Sequence, residues 1–276
     1  MVHIITDSAV DTAAKYRDKF TVVPLTVSFG ETVYEDGVSI NKDEFYAKLI
    51  KSKELPKTSQ ATPDAFEKVF RELHGEEAAV ITISSELSGT YQSACIASED
   101  YPNVRVIDSR NVSIGSGVLA EYAYKCAEDG MGLDELAQEL VKMREKIGLV
   151  AMVDTLKYLR MGGRIPRTAA FAGEVLSIKP VVTIRDGVLA MLGKARGSKK
   201  ANNFLIEQIR QNGVNYDMPI LLGYTGLPDE TLQDYIRDSR SLWEGHVDNL
   251  ECVQLCSVIG THAGPGAVVV AYFYDN

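Results

Sequence analysis

The chain has 276 residues, with 29 Lys and Arg against 38 Asp and Glu, a formal charge of −9, 45% hydrophobic and 24% charged residues. That balance excludes disorder, which needs fewer apolar residues, and 22 Gly with 9 Pro exclude collagen-like and low-complexity chains. The acidic excess argues against a nucleic-acid-binding surface, and no apolar run of about 18 residues marks a transmembrane helix.

The first half alternates strand-like and helix-like segments. Val2–Thr6 is a short apolar run ending at Asp7-Ser8, and 21–29 reads as one strand. Asn41–Lys51 reads as a helix with Asn41 as N-cap and Glu44 three residues on, the capping-box spacing. Thr62-Pro63 opens a second helix, to about Leu73, with proline at its first position. Ala78–Ile83 is a buried strand leading into Ser84-Ser85-Glu86-Leu87-Ser88-Gly89 and another helix, and Val104–Ile107 is a strand ending at Asp108-Ser109-Arg110. Two helices follow, over 116–128 and 133–147. This alternation predicts a parallel sheet covered on both faces. Three polar motifs (TDS at 6–8, ISS at 83–85, IDSR at 107–110) sit where strands end, the edge at which open α/β sheets bind ligands.

The second half differs. Leu149–Val153 is a strand, followed by the basic loop Leu159-Arg160-Met161-Gly162-Gly163-Arg164. Lys179–Ile184 and Val188–Leu192 flank Asp186-Gly187, a hairpin signal. Helices are expected over 202–211 and 228–239, with a strand over 219–224 between them. Closing strands are expected over 252–259 and 267–273, separated by the loop Gly260–Gly266, which carries His262. The expected fold is α/β in two domains: residues 1–148 as a three-layer α/β/α unit with a mainly parallel sheet, and 149–276 as an α/β unit with a mixed, partly antiparallel sheet.

Cys95, Cys126, Cys252 and Cys256 form no CxxC pair, and His3, His74, His246 and His262 have no zinc-like spacing, so no metal is expected. The plain reading of the cysteines, with a start that lacks signal-peptide character, is a reduced, cytoplasmic protein. Ser88 is well placed to cap the helix after the Ala78–Ile83 strand, and Gly89 permits close backbone approach. A helix N-terminus with hydroxyls and free N–H groups suits a carboxylate or a single phosphate, and the P-loop pattern is missing. Thr58 and Ser59 form a second hydroxyl-rich turn. His262, among glycines, is a candidate head-group ligand or a base on a serine, although no G-x-S-x-G elbow supports a hydrolase. The basic stretches 160–167 and 194–200 stand out on an acidic chain as possible phosphate or partner sites.

Taken together, ITDSAVD (5–11), VVPLTVSFG (22–30), LPKTSQATP (55–63), ISSELSGTYQSA (83–94), VIDSRNVSIGSG (106–117), LRMGGRI (159–165), IKPVVTIRDG (178–187), KARGSKK (194–200) and IGTHAGPGAVVVAYF (259–273) resemble the DegV family, which includes the FakB fatty-acid-binding proteins. The resemblance runs nearly end to end. Ala61 and Ala263 depart from the family's frequent Pro and hydroxyl residues.

The resemblance implies a non-enzymatic subunit that holds one long-chain fatty acid in a tunnel between two domains. By motif, Thr58, Ser59, Ser88, Gly89, Arg164 and His262 would hold the carboxylate. Ser85 is an alternative to Ser88, with the capping argument favouring Ser88. The family implies no metal or other cofactor. It implies a separate ATP-dependent fatty acid kinase, related to dihydroxyacetone kinase, as partner, with the acyl-phosphate carried to phospholipid synthesis, and an acyltransferase or transient membrane surface as further partners. Arg167, Lys194, Arg196 and Lys199 are candidates for docking or phosphate contact. A stand-alone Ser/His acyl hydrolase, or a small-ketone-binding subunit like those of dihydroxyacetone kinases, is the alternative.

Overall fold

The computed structural model describes residues 1–165 and 177–275. In chain order the first half contributes β1 (His3–Asp7), β2 (Thr21–Val23), β3 (Thr26–Phe29), β4 (Thr32–Glu35), α1 (Lys42–Lys51), β5 (Lys57–Ser59), α2 (Pro63–Glu72), β6 (Ala78–Thr82), α3 (Thr90–Ser98), β7 (Val104–Asp108), α4 (Ile114–Glu128) and α5 (Leu133–Met143). The second half contributes β8 (Ile147–Met152), α6 (Lys157–Met161), β9 (Ile178–Arg185), β10 (Val188–Arg196), α7 (Ser198–Asn212), β11 (Leu221–Tyr224), α8 (Glu230–Trp243), β12 (Glu251–Gln254), α9 (Ser257–Ala263) and β13 (Val268–Phe273).

The first sheet, in the order β2-β1-β6-β7, is parallel throughout. Every residue of β6 is buried, because α2 and α3 cover one face and α4 and α5 the other. The second sheet runs β10-β9-β8-β13-β11-β12 and is mixed: β11 and β12 are parallel and its other pairs antiparallel. Helices α7 and α8 cover one face of it, and α4 packs on the other. One helix therefore fills the space between two sheets. Its sequence allows this, since twelve of its fifteen residues are buried and most are small. We keep 1–148 and 149–276 as a proposed division: β8 opens the second sheet at Ile147, and α4 serves both sheets.

The capping box forms as expected: Asn41 Oδ1 accepts from Glu44 N at 2.9 Å and Glu44 reaches back to Asn41 N. The Asp186-Gly187 hairpin also forms, between β9 and β10. Two strand expectations fail. The single strand over 21–29 is broken at Pro24-Leu25, because proline has no N–H for a ladder. Its first part pairs with β1. Its second part, β3, joins β4 and β5 in a small antiparallel sheet backed by Phe45, Tyr46 and Leu49 of α1. The strand expected over 252–259 stops at Gln254, and α9 follows, so His262 stands in the last turn of a helix rather than in a loop.

Candidate functional site

A cavity of about 460 Å³ lies where the loops after β6 and β7, strand β5, the α4-facing side of the second sheet and α9 meet. This size is typical of small-molecule sites, about 300–1,000 Å³. Its wall is mostly apolar: Leu149 and Ala151 of β8, Val182 of β9, Val269 of β13, Leu255 and Val258. The polar lining gathers Thr58, Ser59, Ser88, Gly89, Arg164 and His262, so residues spread over more than 200 positions of sequence face one space. Ser59 is exposed and Thr58 and Ser88 are half-buried, while Ala151 and Val182 are buried; the polar part is the one that meets solvent.

His262 Nε2 lies 2.9 Å from Thr58 Oγ1. Among the described residues its Nδ1 has no hydrogen-bond partner; it is buried against Gly162, where an added Cβ would come within 2.1 Å of it. The glycine is thus required by the ring's close approach. Burial, and secondarily the Arg164 cation, push the His262 pKa down to about 4, so the imidazole is neutral near pH 7. A proton on Nδ1 would be a buried donor lacking an acceptor. The network therefore assigns it to Nε2, which donates to Thr58 Oγ1. The Thr58 hydroxyl hydrogen is then left to donate to a ligand.

Ser88 is not the N-cap of α3; Gly89 holds that position. Ser88 Oγ instead accepts from Thr90 N at 3.3 Å and lies 2.9 Å from Thr90 Oγ1, a local turn that still directs it to the cavity. Ser85 donates to Asp108 Oδ2 at 2.6 Å and does not line the cavity. Arg164 ties two loops together, donating from Nη1 to Gly162 O at 2.6 Å and from Nε to Leu87 O at 3.3 Å.

Of the three strand-end motifs, TDS and IDSR serve other ends. Asp7 accepts from Ala9 N and Ile83 N, and Asp108 from Ser85 and Arg110 N; neither lines the cavity. Lys194 and Arg196 lie on β10, Lys199 pairs with Asp238 at the start of α7, and none of the three lines the cavity. Arg167 lies outside the described residues. Gln60 was not foreseen. Its Nε2 donates to Ser93 Oγ at 2.9 Å and Gly89 O at 3.4 Å, joining β5 to α3 beside the cavity; its place next to Thr58 and Ser59 was the available signal. Among the described residues no cluster of His, Cys, Asp and Glu could hold a metal, and no helix is long and apolar enough to cross a membrane.

Residues 1–275 match the family described as uncharacterised protein, DegV family. The chain belongs to the DegV family. A DegV domain-containing protein of Caldanaerobacter subterraneus subsp. tengcongensis is 34% identical, over 98% of each chain. A DegV family protein from Thermus thermophilus, solved in a study of fatty acid binding, superposes with a TM-score of 0.87 at 31% identity, over 99% of both chains. A stearic acid-binding protein from Eubacterium ventriosum superposes at 0.84, also at 31% identity, over 99% of this chain and 98% of the other. The likeness to these two structures spans both sheets and the small third one.

Proposed function

We propose that this chain binds one long-chain fatty acid in the cavity and presents its carboxylate to a separate ATP-dependent fatty acid kinase. The observation that carries the binding half is the juxtaposition of an apolar wall with a single hydroxyl–histidine cluster. An acyl chain buried there gains about 0.8 kcal/mol per CH₂. Thr58 and Ser88 supply donors to a carboxylate that would otherwise be costly to desolvate. Ser59, the Gly89 backbone and Arg164 complete the cluster. A neutral His262 gives no ion pair, which suits exchange of the ligand. The fatty acid binding described for the Thermus thermophilus DegV protein, and the stearic acid binding described for the Eubacterium ventriosum protein, support the same reading.

The presenting half rests on the family resemblance. The carboxylate would sit at the solvent-facing part of the cavity, within reach of a second protein. Lys194, Arg196 and Lys199, with Arg167, are the proposed docking contacts, and the acyl-phosphate would travel on this protein to an acyltransferase or membrane surface. A cytoplasmic location belongs to the same proposal. The hydrolase reading is the weaker one: the nearest partner of His262 is Thr58, that of Ser88 is Thr90, and among the described residues no carboxylate orients His262 Nδ1.

The test is native mass spectrometry of the purified protein, then of delipidated protein given oleate or palmitate. One fatty acid per chain is expected. Failure to take up either acid refutes the binding half. Added ATP and a dihydroxyacetone-kinase-like partner should yield acyl-phosphate from bound acid only. Absence of product with a bound ligand refutes the presenting half.

A further inference from the structure

The chain enters α9 through residues 254–258, and side chains from the first 46 residues hold that backbone. Asp11 accepts from Cys256 N at 3.0 Å, and Asp36 accepts from Ser257 N at 3.1 Å and Val258 N at 3.3 Å. Lys42 pairs with Asp11 at 3.0 Å and donates to the Gln254 carbonyl. Tyr46 donates to the Leu255 carbonyl at 3.1 Å. Asp11 and Asp36 are only 4% and 3% exposed, and two buried carboxylates against one ammonium are an expensive arrangement unless they hold something in place.

What they hold is a seven-residue helix with no capping side chain of its own at Cys256. A helix that short does not persist by itself. It lies tight on α1: a Cβ at Gly260 would come within 2.6 Å of Tyr46 Oη. His262 stands at its far end. Thr58, the partner of His262, belongs to β5 in the small sheet, which shares its core with α1. Asp11 also accepts from Ser113 Oγ at 2.9 Å. Ser113 lines the cavity with φ 56 and ψ −129, a backbone conformation that a residue other than glycine keeps only when its surroundings enforce it. One carboxylate thus braces both the helix that carries the histidine and the wall of the cavity.

From this we infer that Asp11 and Asp36, with Lys42 as their counter-ion, are positioning residues for the head-group site, capping α9 so that His262 meets Thr58. The inference rests on the carboxylate-binding role of His262 proposed above. Its first test needs no ligand. In ligand-free protein, side-chain ¹H–¹⁵N correlation spectra report the tautomer and titration of His262, assigned with His262→Gln. Arg164, the charged group set against His262, is left unchanged in every variant.

In Asp36→Asn the His262 titration should move up by a unit or more, toward the ordinary histidine value of about 6.5. A second tautomer should appear, and the Kd for oleate should rise at least tenfold. Lys42→Met, at a side chain 36% exposed, should keep the fold and shift both readouts in the same direction. Leu232→Ala, on the buried face of α8, should lower Tm and leave the His262 signals at their wild-type values. If Asp36→Asn and Lys42→Met lower Tm but leave the His262 tautomer and titration unchanged, the cluster is a brace only and the inference is overturned. Wild-type protein that binds no oleate would refute the fatty-acid reading, while the imidazole spectra would still decide the positioning role.

Discussion

Ala151→Leu tests whether the apolar part of the cavity holds an acyl chain. Ala151 is 5% exposed, on β8, and lines the cavity. Leucine adds three carbons to a space of about 460 Å³, enough to displace about three methylenes of a bound chain. At about 0.8 kcal/mol each, that is about 2.4 kcal/mol, or roughly 50-fold in Kd for an acid that fills the cavity. An acid about three carbons shorter should bind the variant as well as it binds the wild type. The added side chain fills a void, so Tm should hold or rise. The assay is displacement of a fluorescent fatty acid by a series of saturated acids of increasing length, with thermal unfolding alongside. Equal weakening for short and long acids, or a falling Tm with no change in length preference, would refute this view of the cavity.

Thr58→Val keeps the side-chain shape and removes the hydroxyl. It leaves His262 Nε2 without its acceptor and the ligand without a donor, so fatty-acid affinity should fall about tenfold, with a stability cost of about 1–3 kcal/mol by urea unfolding. A second prediction concerns Glu121, which burial raises to a pKa of about 7, above its ordinary range near 4.5. A carboxyl raised on folding favours the folded state below its unfolded pKa, and that advantage is lost as pH rises through about 7. Glu121→Gln retains an acceptor for Ala13 N and should be more stable than the wild type at pH 8, by about 3 kcal/mol at most, with no such gain at pH 4. Urea midpoints at the two pH values decide it. His262 runs the other way. Its pKa is lowered to about 4, so its contribution is complete above about 6.5 and is lost as pH falls toward 4. His262→Gln should flatten the acid limb of the stability curve by up to about 3 kcal/mol, as urea unfolding between pH 7 and 4 would show.

Much of the fold was legible because its signals are local. The capping box at Asn41–Glu44, the proline opening α2, the mostly apolar runs of β6 and β13 and the Asp186-Gly187 hairpin each act within a few residues of chain. The site was legible in a different way. Thr58, Ser59, Ser88, Gly89, Arg164 and His262 were each singled out as members of motif blocks, and the structure places them around one cavity. Their local settings were read less well. Ser88 looked like a cap and is a turn residue before Gly89. The TDS motif looked like part of a ligand edge; its Asp7 binds backbone N–H groups in the interior.

The amino-acid sequence by itself determined the order of most helices and strands, that the first sheet is parallel and buried on both faces, and which polar residues stand at loop ends. The tertiary structure alone decided that α9 is a helix. Its free N–H groups are capped by Asp36, which is 221 residues away in the chain, and by no side chain of its own. It also decided that the cavity exists at all. That space is left where α4 separates two sheets and α9 leans on α1, and no window of sequence records a volume that neighbouring elements leave unfilled. Caps supplied from afar and gaps between packed layers arise from the same cause: both depend on which segments meet, and chain order does not state that.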